Sequence, residues 1–338
     1  MGVNRYWRLN ETPVGTDFEA ALSLEEEPVP DPGEGEVLIK NDWLSMDAGT
    51  RLWMTRREDG YQPPLPLGSK MVGLGLGRVV ASRAPSAKEG DLVRCFGQWA
   101  DHSLVRPEYS DLRTLTDDSG DLLEHFGVLG MNAWTALAGI CEVGAAKQGE
   151  TVLISAAAGA TGLLACQIAK IQGCIVIGIA GGAAKKRFLL DDIGLDGAID
   201  YKSENVADAL ARLRGGVDVY FDNVGGPLLD DVLPNMAHYG RIAICGLISS
   251  YDGDASRPGP AHFDQILMRR LSVTGFFSPD FSSRGEEFNA KLRQWSDAGR
   301  LRMWFDKTQG LENVLSAYAK LFTGENIGKV VVDIREKP

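Results

Sequence analysis

The sequence predicts an α/β protein in two parts, a compact all-β unit followed by a doubly wound parallel sheet with helices on its faces. Three observations predict it. From Val37 to about Val105, short β-rich runs alternate with proline and glycine punctuation. After Leu122, helix and strand patterns alternate, and a glycine-bearing turn stands between a strand and a helix at residues 157–162. A chain of 338 residues also has room for two cores, being about twice a domain of ~100–200 residues.

The β unit reads as the runs EVLIKNDWLS (36–45), GLGRVVAS (75–82), DLVRCF (91–96) and ADHSLV (100–105), punctuated by EPVPDPGEGE and YQPPLPLGS. Gly73, Gly75 and Gly77 stand in that β-rich stretch and read as turn or bulge glycines. The second part opens with a helix over 125–142, a buried strand at TVLISAA (151–157), a helix at 161–173 and a strand at IVIGIAG (175–181), which is a βαβ unit. Alternation continues through a helix at 184–194, strand 197–201, helix 205–215, strand 217–224, helix 227–236 and strand 240–248, five strands in all, which fits a doubly wound sheet of six parallel strands. A helix at 311–322 and a strand at GKVVVDI (328–334) close the chain.

Composition narrows the function classes. The net charge of −11 gives a field that repels phosphate backbones and anionic headgroups, so neither nucleic acid nor a membrane surface is an expected partner. No stretch approaches the ~18 apolar residues of a spanning helix, and the opening MGVNRYWRLNETPVG lacks the apolar core of a signal peptide, so the expected location is cytoplasmic. Cys95, Cys141, Cys166, Cys174 and Cys245 are scattered without CxxC spacing and read as free thiols. His102, His125, His238 and His262 have no cysteine or carboxylate at ligand spacing, so no metal is expected.

Ala157-x-Gly159-x-x-Gly162 has the spacing of a dinucleotide-binding GxGxxG with its first glycine replaced by alanine. Such a turn uses one glycine for close backbone approach to a pyrophosphate, another for helix–strand packing, and the helix N-terminus for the anion. The strand ending at Gly181 carries no acidic residue to accept from a ribose 2′-hydroxyl. It runs instead into Gly181-Gly182-Ala183-Ala184-Lys185-Lys186-Arg187, a small uncharged space followed by three cations, which favours NADPH over NADH. The alternative is that all three cations face solvent, although cations at a helix start oppose its dipole.

With these pieces placed, the chain resembles the zinc-free branch of the medium-chain dehydrogenase/reductase superfamily, in particular the prostaglandin (leukotriene) reductases, plant alkenal double-bond reductases and bacterial curcumin reductases. The resemblance is carried by LSMDAGTR (44–51), YQPPL (61–65), GRVVAS (77–82), GDLV (90–93), GMNAWTAL (130–137), AAAGATG (156–162), YFDNVGG (220–226), GRIAICGLISSYD (240–252) and NIGKVVVDI (326–334). It implies a GroES-like β-barrel catalytic domain at 1–121, completed by 303–338, and a Rossmann NADPH-binding domain at 122–302.

It further implies that Gly159, Ala160, Thr161 and Gly162 cradle the pyrophosphate, that Lys185 pairs with the 2′-phosphate and that Tyr201 lies near it. Asn223 would bond near the nicotinamide ribose, and Cys245, Gly246, Leu247, Ile248, Ser249 and Tyr251 would line the cofactor. Phe276 and Phe277 would turn backbone groups to the carboxamide, and Asn326 would close over the cofactor. The implied reaction is hydride transfer to the β-carbon of an enone or enal with protonation at the α-carbon, Tyr251 donating to the enolate oxygen as a phenol that stays protonated at neutral pH. Tyr61 matches a tyrosine of the substrate pocket, or is an aromatic clamped on Pro63 and Pro64. Where the family reads DPYMR this chain has Asp47-Ala48-Gly49-Thr50-Arg51, so a pocket tyrosine is replaced by Gly49. Trp43, Trp53, Met54 and Phe96 are pocket-wall candidates or core. Quinone reduction and non-catalytic NADPH binding are the competing readings, and a homodimer with its seam at Leu271–Gly275 is expected from the family.

Overall fold

A computed structural model describes residues 2–57, 63–115, 120–251 and 259–335. The N-terminal part contains β1 (Val3–Leu9), β2 (Leu22–Pro28), β3 (Val37–Ser45), β4 (Val72–Ser82), β5 (Leu92–Gln98), β6 (His102–Val105) and β7 (Arg113–Thr114). β1 and β2 form an antiparallel ribbon ahead of the first strand the sequence announces. β3, β4, β5 and β7 run side by side in one antiparallel sheet, with β6 on the free half of β3. Gly77 stands opposite a bulge in β3, since the β3–β4 register shifts between Asn41 and Trp43, and a Cβ at Gly77 would stand 2.1 Å from the Lys40 carbonyl oxygen; Gly73 and Gly75, read as turn or bulge glycines, instead sit in regular pairs inside β4.

The second sheet contains β8 (Thr151–Ile154), β9 (Ile175–Ala180), β10 (Gly197–Asp200), β11 (Val217–Asp222), β12 (Met236–Ile244) and β13 (Ser272–Gly275). Its order is β10-β9-β8-β11-β12-β13, and every neighbouring pair is parallel. The chain starts at the centre, winds outward through β9 and β10, then returns to lay β11 on the other side of β8. Between β8 and β11 the strand order reverses, and their carboxyl ends open a crevice of the kind that takes ligands in doubly wound sheets. Both faces are covered: Val152 and Ile154 pack into one apolar cluster and Leu153 into another on the opposite face. This explains why β8 reads as an unbroken apolar run.

After a helix at Gly285–Asp297, β14 (Phe305–Gln309) pairs parallel with β15 (Lys329–Asp333), and β15 pairs antiparallel with β3, Val331 opposite Ser45. The C-terminal segment therefore crosses from the parallel sheet back to the N-terminal one. The helix read over 125–142 is broken into a 3-10 turn at Leu122–His125, an α-helix at Met131–Leu137 and a π-helical turn at Ala138–Val143. Gly139 accounts for the last change: its missing side chain admits the Phe221 ring, which a Cβ would meet at 2.1 Å, and its carbonyl accepts from Gly144 N at 2.9 Å, a five-residue spacing.

Candidate functional site

The glycine turn follows β8 and opens a helix at Ala160–Ile171, with Gly159 as the residue before its first turn and no side chain capping it. The N–H groups of Ala160, Thr161 and Gly162 thus lead a twelve-residue helix with no side-chain cap, an arrangement suited to an anion. A Cβ at Gly162 would lie 2.2 Å from the Ala156 carbonyl oxygen, so the turn closes only on glycine there. Asn132, which stands in GMNAWTAL without a role readable from the sequence, donates from Nδ2 to Thr161 Oγ1 at 2.8 Å and fixes that hydroxyl.

Lys185 and Tyr201 come together beside Gly181. A Cβ at Gly181 would meet the Tyr201 ring at 2.9 Å and Lys202 Cε at 2.9 Å, so the bare backbone lets both side chains lie across the end of β9. Lys186 leaves this group by pairing with Glu204 at 2.6 Å, whereas neither Lys185 nor Lys202 makes an ion pair among the described residues. Burial first, and then the like charge of Lys202, pull the Lys185 pKa below its ordinary value. Two neighbouring unpaired ammonium groups fit a phosphate. Asp200, the residue before Tyr201, is turned inward: its carboxylate accepts from Gly182 N at 2.6 Å, from Lys202 N and from Ser203, and the Gly182 bond holds its pKa down. Lys202 is a missed residue, and its role depends on Gly181 lacking a side chain.

At the carboxyl end of β11, Asp222 is fully buried. Its Oδ1 accepts from Tyr220 OH, Ser155 Oγ, Val224 N and Gly225 N at 2.8 to 3.2 Å, and burial raises its pKa. Asn223 is held to the residue that starts the glycine turn, donating from Nδ2 to the Ser155 carbonyl at 2.7 Å and from its backbone to Ser155 Oγ at 2.8 Å. The loop that follows β12 is zipped onto this one: Cys245 N and Gly246 N donate to Asp222 O, Ile248 N to Asn223 O, and Ser249 N and Oγ to Val224 O. Gly225 at φ +67 and Gly226 at φ +57 make the zipper possible, since Cβ atoms there would meet Leu247 at 2.6 Å and Ser249 Oγ at 2.8 Å. FDNVGG and CGLISSY thus occur together because each shapes the other.

Tyr251 closes the second loop, its hydroxyl oxygen accepting from Leu247 N at 3.2 Å. Burial raises the phenol's pKa, as it raises the Cys245 thiol to about 12. Phe276 is core, packed edge-on to Phe221, and Phe277 is half-exposed. The Phe277 N–H donates to Asp280 Oδ2 at 3.0 Å and its carbonyl accepts from Asp280 N at 3.0 Å, so the pair's backbone is already partly engaged. Asn326 is buried and bonds within its own segment, Nδ2 to Gly328 O at 2.9 Å. That segment does lie on the glycine turn: Gly328 N donates to Ala158 O at 2.8 Å and Gly328 bridges Gly159. Tyr61 falls outside the described residues. Of the wall candidates, Met54 and Trp43 are core, while Trp53 and Phe96 are half-buried and meet edge to face at 5.9 Å. Among the described residues no group of three or more His, Cys, Asp or Glu side chains is arranged to hold a metal ion, and no helix is long and apolar enough to cross a membrane.

A β-rich N-terminal unit joined to a doubly wound sheet, with an uncapped glycine turn at the switch point and two neighbouring lysines, without ion pairs among the described residues, at the end of the adjacent strand β9, defines a dinucleotide-dependent oxidoreductase. Known proteins agree. Residues 5–112 match the family described as the N-terminal domain of oxidoreductase, and residues 160–295 match the one described as zinc-binding dehydrogenase. The chain is 36% identical to the NADPH-dependent curcumin reductase of Escherichia coli, over 98% of this chain and 97% of the other. It is 38% identical to the NADP(+)-dependent 2-alkenal reductase of Nicotiana tabacum, over 89% and 88%. The crystal structure of CurA from Vibrio vulnificus in complex with NADPH superposes with a TM-score of 0.91 at 34% identity, covering 98% of this chain and all of the other. The chain belongs to the medium-chain dehydrogenase/reductase family, in its zinc-free branch.

Proposed function

We propose that this protein is an NADPH-dependent reductase of the carbon–carbon double bond of α,β-unsaturated ketones or aldehydes. The observation that carries the reading is the Tyr251 phenol beside the cofactor loops: burial keeps it neutral and its oxygen accepts from Leu247 N, which leaves its proton to be donated. Lys185 and Lys202 take the 2′-phosphate with Tyr201 beside them, the turn from Gly159 to Gly162 takes the pyrophosphate, and Asn223 and residues Cys245–Ser249 shape the wall at the reacting end. Of the two phenylalanines, Phe276 is the better candidate to face the carboxamide. NADPH, when bound, supplies hydride to the substrate β-carbon. Tyr251 O–H would hydrogen-bond the carbonyl oxygen as negative charge builds there, which is the main demand conjugate reduction makes on the protein, and a proton taken from water at the α-carbon would complete the saturated product.

The division into 1–121 with 303–338, and 122–302, is supported by β15 joining the N-terminal sheet. A homodimer through β13 is supported by its position as last strand of its sheet with all four residues exposed, beside exposed Phe263, Leu267 and Met268. Cofactor oxidation with a simple enone, an enal and a benzoquinone tests the activity, with Tyr251→Phe expected to lower enone turnover by ~10²-fold or more while leaving NADPH affinity within about twofold. Faster turnover of the quinone by the wild type, or full enone activity in the variant, would sink the reading.

A further inference from the structure

Lys329 is a lysine with 1% of its surface exposed, at the first position of β15. Its ammonium group donates to the Met46 carbonyl at 3.0 Å and to the Asp47 carboxylate. The other carboxylate oxygen of Asp47 accepts from the buried Ser45 Oγ at 2.5 Å. Asp47 precedes the 3-10 turn Ala48–Met54, a place where an aspartate ordinarily caps the turn, yet its side chain makes no cap bond. The carboxylate has been drawn away from its local partner toward the ammonium. The residue before Lys329 is Gly328, pinned to Ala158 and Gly159 of the glycine turn. One dipeptide therefore ties two turns together, Gly328 by its backbone on the glycine turn and Lys329 by its side chain on Met46 and Asp47, just ahead of the turn carrying Gly49 and Trp53.

Stability is a poor reason to keep such a pair, because a buried ion pair is often no better than apolar residues of the same volume. Its geometry is more informative: two acceptors on successive residues fix where the Ala48–Met54 turn sits relative to the glycine turn, which an apolar contact would not do. We propose that Lys329 is a positioning residue, locking the Ala48–Met54 turn at one distance from the cofactor turn so that the alkene lies within hydride reach. The proposal rests on the double-bond reductase reading, in that this turn is taken to border the substrate.

Lys329→Met, which keeps the stem and removes the ammonium group, tests it, with Asp47→Asn as a second variant at a half-buried position should the first fail to fold. The expected result is a fall in kcat for the enone of ~10²-fold, the penalty of a misplacement near 1 Å, with the calorimetric Kd for NADPH within about twofold of wild type. Amide hydrogen exchange over residues 46–54 should quicken in both variants while that over 156–162 holds. A purely structural role would lower Tm and leave the kcat of the folded enzyme unchanged, and that outcome overturns the proposal. So does an equal loss of NADPH affinity and turnover. If the wild type reduces no enone, the activity reading fails, whereas the exchange measurement still decides whether Lys329 holds the turn.

Discussion

Lys185→Ala should separate the two nicotinamide cofactors. Two unit charges 4 Å apart interact by about 4 kcal/mol at the effective dielectric constant of ~20 that suits groups near a protein surface. Lys185 is half-buried, so its removal also relieves a desolvation cost and its repulsion with Lys202. Lys202 remains to meet the phosphate. Halving the Coulomb figure for these offsets leaves about 2 kcal/mol, or roughly a 30-fold rise in the Kd for NADPH. NADH has no phosphate there and its Kd should move by less than about twofold. Lys202→Ala should act in the same direction and less strongly, because that side chain is exposed and better screened. The sign with pH follows from the lowered pKa of Lys185. A bound phosphate dianion favours the charged ammonium, so NADPH affinity falls as pH rises through the depressed pKa of the free protein, and NADH affinity does not follow it. Titration calorimetry with both cofactors at several pH values measures all of this. Equal losses for NADPH and NADH would refute the phosphate assignment.

Gly225→Ala places a methyl group 2.6 Å from Leu247 Cδ2 at a φ of +67 and should cost about 1–3 kcal/mol, read as a lower Tm together with weaker NADPH binding. A lower Tm with unchanged NADPH binding would show that the two zipped loops do not shape the cofactor site. Incubation with a strong chelator should leave turnover unchanged, and activity that is lost and then restored by zinc would overturn the metal-free chemistry.

What the sequence discloses of this molecule follows what each residue is constrained by. β8 and β9 are legible because both faces are buried, which forces near-continuous apolar runs such as Val152–Ile154. β2 and β14 are not, because LEEEP and FDKTQ lie on half-exposed strands where solvent tolerates charge. Gly162 is legible since backbone approaches backbone there. Lys202 is not, since its place depends on what Gly181 lacks, and no periodicity reports an absent side chain of a different strand. The Lys329–Asp47 pair spans 282 positions in the chain and carries no local pattern at all.

The alanine at the first fingerprint position yields to the same kind of argument, and to a double-mutant cycle. The left-handed residue of this turn is Ala156, at φ +48, so the backbone does not demand glycine at position 157. Space makes the demand at position 178 instead: Ala157 is fully buried, and a Cβ on Gly178 of the adjacent strand β9 would lie 2.8 Å from the Ala157 methyl. The glycine missing from the turn has its counterpart in the neighbouring strand. Ala157→Gly alone should then cost ~1 kcal/mol, from one lost buried methyl and a looser unfolded chain. Gly178→Ala alone should cost ~1–3 kcal/mol, because the new methyl also stands 3.0 Å from the ends of Leu189 and Leu195. In the double variant the methyl group has only moved across the contact, and the leucine ends can rotate away. The two changes together should therefore cost less than their sum by ~1 kcal/mol in urea unfolding, well beyond the ~0.3–0.5 kcal/mol scatter of independent sites. Strict additivity would mean that Ala157 and Gly178 do not share one space, and that the alanine is tolerated for some other reason.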